Sequence, residues 1–412
     1  MNLGTAQVIR GDSRHLPLAS DSVDLVVTSP PYFALRSYTD GGVHYERQIG
    51  AEPTPDEFVS SLLEVTAECV RVLKPSGSLW VNLGDKYSTG NGGESGLTQL
   101  GQRLGTGGGQ KSDSAKVRSP RVPGMKPKSL IGIPWRYALR CIDDLGLILR
   151  AEVIWSKPNG LPESVTDRVR RSHEQWFHFT LSPRYYSAVD EIREPHNSVA
   201  WIGRDKQERN NSDRNDGGKM ANTANPLGKL PGSVWTIPTE PLRVPDHLGV
   251  DHFAAFPTEW PKRIIAGWSP AGVCVECGEG RRPVAAITGG DFDSDSERER
   301  LHALQRERVA VGGGAVSALG RRDVTREITG YACACPEPTA DTRPAVILDP
   351  FGGTGTTELV AKALGRHGIT VDMSADYCRL ATWRTNDRDQ LAKVLGLRKP
   401  EPVDEEQMQL WA

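Results

Sequence analysis

The sequence predicts a doubly wound α/β fold on a mostly parallel sheet, and three observations carry that prediction. Short apolar runs such as Leu25-Val26-Val27 and Val346-Ile347-Leu348 lack the alternation of a half-exposed strand and suit parallel strands buried on both faces. Amphipathic helical stretches alternate with these runs. A glycine-rich turn, Gly352-Gly353-Thr354-Gly355, joins one of the strands to a helix.

In chain order, Val8-Ile9 is a short strand, and "DSVDLVVTS" is a second that stops abruptly on Thr28-Ser29-Pro30-Pro31-Tyr32. An amphipathic helix follows. Thr54 or Asp56 caps it, Phe58, Leu62, Leu63, Val65, Cys69 and Val70 form its apolar stripe, and Lys74-Pro75-Ser76-Gly77 stop it. "SLWVNLGD" is the next strand. Residues 86–128 are rich in Gly, Ser and basic side chains with almost no core formers, and read as a long mobile loop. "IGIPWRYALRCIDDLGLILRAEVIWSKPN" is a helix and then a strand, and "HEQWFHFTLS" another strand. Residues 204–229 form a second polar, mobile stretch. An insert, Ala271 to Pro338, carries paired cysteines. The α/β pattern then resumes through "VILDPFGGTGTTELVAKALGR" and closes with the strand "GITVDM".

The 412 residues suffice for one large or two to three ordinary domains. A hydrophobic content of 37% with 25% charged residues is that of a soluble globular protein. No apolar run approaches the roughly 20 residues of a membrane-spanning helix, and the first residues lack the features of a signal peptide. A cytoplasmic protein without a membrane role is expected. A net charge of −2 does not announce a nucleic-acid binder, so any such role must rest on local basic patches.

Gly352, Gly353 and Gly355 let backbone approach a ligand closely, and the helix that follows offers free N–H groups. Roughly 20 residues on, the next strand ends in Asp372, an acid placed to accept both hydroxyls of a ribose. No lysine of a phosphate loop is present, which argues against a nucleoside triphosphate. Asp349-Pro350-Phe351 before the glycines departs from a dinucleotide fingerprint. A cationic nucleoside ligand without a pyrophosphate suits these residues. A glycine turn alone would equally suit a plain strand-to-helix connection, and "SPPY" alone a loop bend with a packing tyrosine.

Taken together the two motifs resemble those of S-adenosylmethionine-dependent DNA amino-methyltransferases. Asp349-Pro350-Phe351-Gly352-Gly353-Thr354-Gly355-Thr356-Thr357 is similar to their cofactor motif, and Thr28-Ser29-Pro30-Pro31-Tyr32 to their catalytic motif. The catalytic motif comes first, as in the circularly permuted beta class. "WSKPNGLPESVTDRVRRSHEQWFHFTLSPRYY", "SVWTIPTEP" and "HFAAFPTEWPKRII" resemble further segments of that class.

The resemblance implies a Rossmann-like, permuted methyltransferase sheet and the cofactor S-adenosylmethionine. It also implies a double-stranded DNA substrate and a cognate restriction or defence partner, with a monomer or homodimer as the working form. Catalysis falls to Ser29, Pro30, Pro31 and Tyr32. An exocyclic amino group is a poor nucleophile because its lone pair is delocalised into the base. Ser29 Oγ and the Pro30 carbonyl can accept its hydrogens and localise that pair. The prolines hold the carbonyl rigidly, and Tyr32 stacks on a base turned out of the duplex. The cofactor pocket by resemblance takes in Thr28, the motif from Asp349 to Thr357, Asp372, Asp12 near the adenine, and Phe253 and Phe256. For Asp12 a plain turn role competes, and for the two phenylalanines core packing. A serine in "TSPPY" is commoner among cytosine-N4 enzymes, which makes that base the first choice. Adenine N6 is the alternative, as is a catalytically silent, zinc-bearing DNA-binding module.

Between Lys111 and Lys128 six basic residues face one acid, Asp113. Lys116, Arg118, Arg121, Lys126 and Lys128 of this loop, and the strip Arg168, Arg170 and Arg171, are candidate phosphate contacts; solvated charge runs are the competing reading. Cys274-Val275-Glu276-Cys277 and the later Cys333-Ala334-Cys335 together offer four thiolates to a structural zinc. Cys69, Cys141 and Cys378 stand singly in apolar or helical patterns and read as buried thiols. The expected organisation is a catalytic half (1–186), a target-recognition region (187–235), a cofactor-lid segment (236–270), a cysteine-bearing insert (271–338) and a cofactor-binding half (339–412).

Overall fold

The computed structural model describes residues 3–34, 39–40, 43–44, 48–88, 122, 124–160, 162–195, 225, 227–245, 248–249, 255–288, 325–336 and 340–397. The chain divides into two compact units. The larger comprises Met1–Ala188, Gly232–Arg281 and Ala334–Ala412, the smaller Val189–Pro231 and Arg282–Cys333.

The strands in chain order are β1 (Thr5–Arg10), β2 (Val23–Thr28), β3 (Thr39–Asp40), β4 (Val43–His44), β5 (Leu73–Leu83), β6 (Ile148–Ser156), β7 (His173–Thr180), β8 (Val234–Thr236), β9 (Val273–Cys274), β10 (Arg282–Thr288), β11 (Thr325–Ala332), β12 (Thr342–Arg343), β13 (Val346–Asp349) and β14 (His367–Asp372). The helices are α1 (Pro55–Val72), α2 (Ile133–Asp143), α3 (Glu259–Trp268), α4 (Thr356–Ala363), α5 (Ala375–Asn386) and α6 (Arg388–Val394). Within the smaller unit β10 and β11 form an antiparallel hairpin.

An eight-stranded sheet in the order β1-β14-β13-β2-β5-β7-β6-β8 organises the larger unit. From β1 to β5 every neighbour pair is parallel, β7 runs antiparallel to β5 and β6, and β8 is parallel to β6. The carboxyl ends of five parallel strands therefore share one edge with the amino end of β7. This is the mostly parallel, doubly wound sheet expected from the sequence.

All six residues of β2 are buried, which is why the run carries no alternation. Asp24 inside it ties both neighbouring strands: Lys74 of β5 pairs with one carboxylate oxygen, and Val346 N of β13 donates to the other at 2.8 Å. Thr54 caps α1 by accepting from Glu57 N. The helix ends at Val72, but β5 begins immediately, at Leu73, and takes Lys74-Pro75-Ser76-Gly77 into the strand. The pairing of β2 with β5 shifts register between Val23 and Leu25, which accommodates the proline.

Alternation along β5 and β7 separates two cores. Leu79, Val81, Leu83, Phe177 and Phe179 join the cluster under α1 and α2. Trp80 and Trp176 belong to an aromatic group with Trp155, Trp235, Trp260 and Trp268, in which Trp260 stacks on Trp176 and on Trp235 at 4.9 Å each. His178 lies in that group, stacked on Trp80 at 4.5 Å, and burial pushes its pKa down to about 3, so it is neutral. Among the described residues no helix is long and apolar enough to cross a membrane.

Candidate active site

Strand pairing brings the two sequence motifs together from opposite ends of the chain. Leu25 of β2 lies opposite Ile347 of β13, so the loops leaving these strands emerge side by side. Asp349, at the end of β13, is buried and is the hinge of the arrangement. Thr28 Oγ1 donates to its Oδ1 at 2.6 Å, Thr357 Oγ1 to its Oδ2 at 2.9 Å, and Phe351 N to its Oδ1 at 3.1 Å. Burial raises the carboxyl to about 6, and those three donors act against the rise.

The glycine turn is fixed by its neighbours. A Cβ on Gly352 would lie 1.4 Å from Thr370 Oγ1, so the backbone there passes β14 too closely for any side chain. Gly353 N donates to Asp372 Oδ2 at 2.9 Å, and Ser374 N to Asp372 Oδ1 at 2.8 Å. Ser13 Oγ donates to the Pro350 carbonyl. Gly355, with φ +75°, forms the N-cap of α4. Buried Arg384 of α5 braces the turn, donating to Thr354 Oγ1 at 3.0 Å and Thr356 Oγ1 at 2.7 Å.

A second network holds the Ser29–Tyr32 loop. Asn82 of β5 is buried, and its Nδ2 donates to the Gln175 carbonyl on β7 at 3.0 Å. That fixes Asn82 Oδ1 as an acceptor, to which Ser29 Oγ donates at 3.2 Å. Tyr32 Oη lies 2.7 Å from both Asn82 Oδ1 and Glu174 Oε2. Its single proton is better spent on the charged Glu174, whose other oxygen pairs with Lys157. The Tyr32 ring packs against Gly84, where a Cβ would meet its Cε2 at 2.5 Å. Ser29, having donated to Asn82, keeps lone pairs that can accept hydrogens from a ligand.

Asp12 follows β1 at the same edge: Gly11 N donates to the Asp372 carbonyl at 3.0 Å, while the Asp12 carboxylate accepts from Arg14 N at 3.0 Å. Phe256 is half-buried and meets Trp176 edge-on at 5.8 Å. Phe253, Lys116, Arg118 and Arg121 lie outside the described residues. Lys126 is exposed, and Lys128 pairs with Asp167 at 2.6 Å. Arg168 pairs with Glu163 at 2.7 Å and lies over the Tyr87 ring. Arg170 donates to the Gly160 carbonyl at 3.0 Å. Arg171 lies 3.4 Å from buried Asp85, which accepts from Gly132 N and Ile133 N at the start of α2. Of the paired cysteines, Cys274, Cys277 and Cys335 come together; Cys333 is not one of that group.

Asn82, Lys157, Glu174 and Arg384 were not singled out by sequence. "NLGD" and "SKPN" mark strand ends, but only the β5–β7 pairing shows that Asn82 and Glu174 face the same tyrosine.

The edge suits S-adenosylmethionine. A glycine-rich turn borders the start of α4 with its free N–H groups. The two oxygens of Asp372 accept backbone N–H groups from Gly353 and Ser374, which fixes this carboxylate at the end of β14 beside the turn.

Comparison with known proteins agrees with this geometry. A family model described as DNA methylase matches residues 23–275 and 342–382. The chain is 36% identical over 279 residues to the type II methyltransferase M.SmaI of Serratia marcescens, covering 66% of this chain and 78% of that protein. It is 39% identical over 249 residues to M.XycI of Xanthomonas campestris pv. cyanopsidis, covering 60% and 65%. Among solved structures, the PvuII DNA methyltransferase (cytosine-N4-specific) shares the fold, with a TM-score of 0.50, 16% identity, and coverage of 96% of this chain and 95% of that one. The chain thus belongs to the DNA methylase family and is an S-adenosylmethionine-dependent DNA amino-methyltransferase.

Proposed function

We propose that the chain methylates the N4 amino group of cytosine at a specific site in double-stranded DNA. The observation that carries this reading is the setting of Ser29: a serine at the edge of β2, oriented by buried Asn82 and next to the cofactor turn through the Thr28–Asp349 bond. When bound, S-adenosylmethionine supplies an electrophilic methyl group. The turn from Pro350 to Gly355 would face it with backbone, Asp372 would hold its ribose hydroxyls, and Asp12 and Phe256 would border its adenine.

Ser29 Oγ and the Pro30 carbonyl accept the two amino hydrogens of the target base, so that the nitrogen lone pair gathers toward the methyl group. Pro30 and Pro31 have no N–H and fixed φ, which keeps that carbonyl in place. The Tyr32 ring, anchored through Oη, supports the extruded base by stacking. Exposed Lys126 and Arg170 supply phosphate contacts. A cognate restriction nuclease is the partner this activity would serve.

Nucleoside analysis by mass spectrometry of DNA methylated by the purified protein tests the assignment. N4-methylcytosine is expected; N6-methyladenine as the product would overturn it.

A further inference from the structure

Outside the methyl-transfer site, one cluster of metal-ligating side chains stands out in the larger unit. Cys274 is the last residue of β9, which pairs with β12 so that Cys274 lies opposite Thr342. Beyond it the chain turns tightly. Gly278 N donates to the Cys274 carbonyl at 3.0 Å, Cys274 N donates to the Glu279 carbonyl at 2.9 Å, and Gly278 takes the left-handed φ of +72°. This fold-back sets Cys277 beside Cys274. Cys335 then returns from far along the sequence to the same place, and the three Sγ atoms lie within 4.8 Å of one another. Val275 N donates to the Asp341 carbonyl at 3.0 Å, so the turn is also tied to the segment that carries Cys335 onward to β12.

Spacing and chemistry together indicate an occupant. A tetrahedral zinc with Zn–S bonds of about 2.3 Å holds its sulfurs about 3.8 Å apart, so closure needs shifts of about 1 Å. Three thiolates are soft ligands that select zinc over magnesium or calcium. A disulfide would use only two of the sulfurs, and none joins the described cysteines. Cys274 is buried, Cys335 half-buried and Cys277 exposed, which leaves an open side for metal entry.

We infer that Cys274, Cys277 and Cys335 supply three of the four ligands of one zinc ion, losing their thiol protons as it binds, with water in the fourth position. The site's place in the chain gives it a purpose. The segment Arg282–Cys333 leaves the larger unit after Arg281, and the chain re-enters it at Ala334. Within the larger unit the ion ties the turn after β9 to the segment around Cys335, upstream of β13, the strand that ends in Asp349.

The test uses the full chain and does not depend on the proposed base specificity. Elemental analysis of protein purified without chelator should find about one zinc per chain. Cys335→Ser and the exposed Cys277→Ser should each hold less than a tenth of that while keeping the wild-type circular dichroism. With metal-free protein, added Zn²⁺ should shield three thiols per chain from a thiol reagent, and Co²⁺ should give the absorption of a tetrahedral thiolate site. Wild-type protein that contains no zinc and neither shields thiols nor binds Co²⁺ when these ions are added would overturn the inference. Equal metal content in wild type and both variants would overturn it too.

Discussion

Replacing Tyr32 by Phe removes one oxygen and leaves the ring that packs against Gly84, so it isolates the anchoring of the Ser29–Tyr32 loop. Tyr32 Oη sits 2.7 Å from Glu174 Oε2, and Glu174 is held by Lys157. A hydrogen bond to a charged group contributes about 1.5–3 kcal/mol. If that bond orients the loop in the reacting complex, its loss lowers the rate of methyl transfer about ten- to a hundredfold, since about 1.4 kcal/mol corresponds to a factor of ten. Glu174→Gln weakens the same contact from the other side. The double variant should therefore be less impaired than the product of the single effects, with a coupling of about 1 kcal/mol. Single-turnover transfer of a labelled methyl group to DNA, with thermal melting alongside, measures both quantities. A Tyr32→Phe protein with wild-type rate, or single effects that multiply without coupling, would refute this reasoning.

Other expectations follow from the same geometry. The Asp349 carboxyl has a folded-state value of about 6, above the ordinary 3.8, so its protonation favours the folded chain and that contribution is lost as pH rises through about 6. Protonation also turns an acceptor oxygen into a donor among three donors; cofactor affinity measured by calorimetry should fall as pH drops below about 6, and Asp349→Asn should abolish that pH dependence. Gly352→Ala forces a Cβ to within 1.4 Å of Thr370 Oγ1, and thermal melting should show a loss of more than about 1–3 kcal/mol along with weakened cofactor binding. Arg171→Ala breaks a largely buried pair with Asp85 and should cost about 3 kcal/mol of stability in denaturant titration. Lys126→Ala, at an exposed site, should leave stability unchanged and reduce the slope of log DNA affinity against log salt by about 0.9.

What could be read from the sequence was local. The buried run of β2, the Thr54 cap and apolar stripe of α1, and the passage from β13 through the glycine turn into α4 each declare themselves within a dozen residues. Their meeting was inferred from motif order and is realised by the pairing of Leu25 with Ile347. Asn82, Glu174 and Lys157 were not legible, because Asn82 sits on β5, Glu174 on β7 and Lys157 just past the end of β6, and only the antiparallel pairing of β7 with β5 and β6 brings them to one loop. Nor could the sequence show that α3 contributes Trp260 to a stack of tryptophans. Periodicity marks a buried face without naming what lies across it. The proline and glycine that promised a gap after α1 were absorbed into β5, because Asp24 draws Lys74 in beside β2.

The order β14-β13-β2 has a bearing on biosynthesis. β2 leaves the ribosome before its neighbour β13, which is translated more than three hundred residues later. Until then the six buried residues of β2 have one unpaired flank, an open invitation to pair with another chain. A message truncated before Val346 would therefore yield a product that is both inert and prone to aggregate.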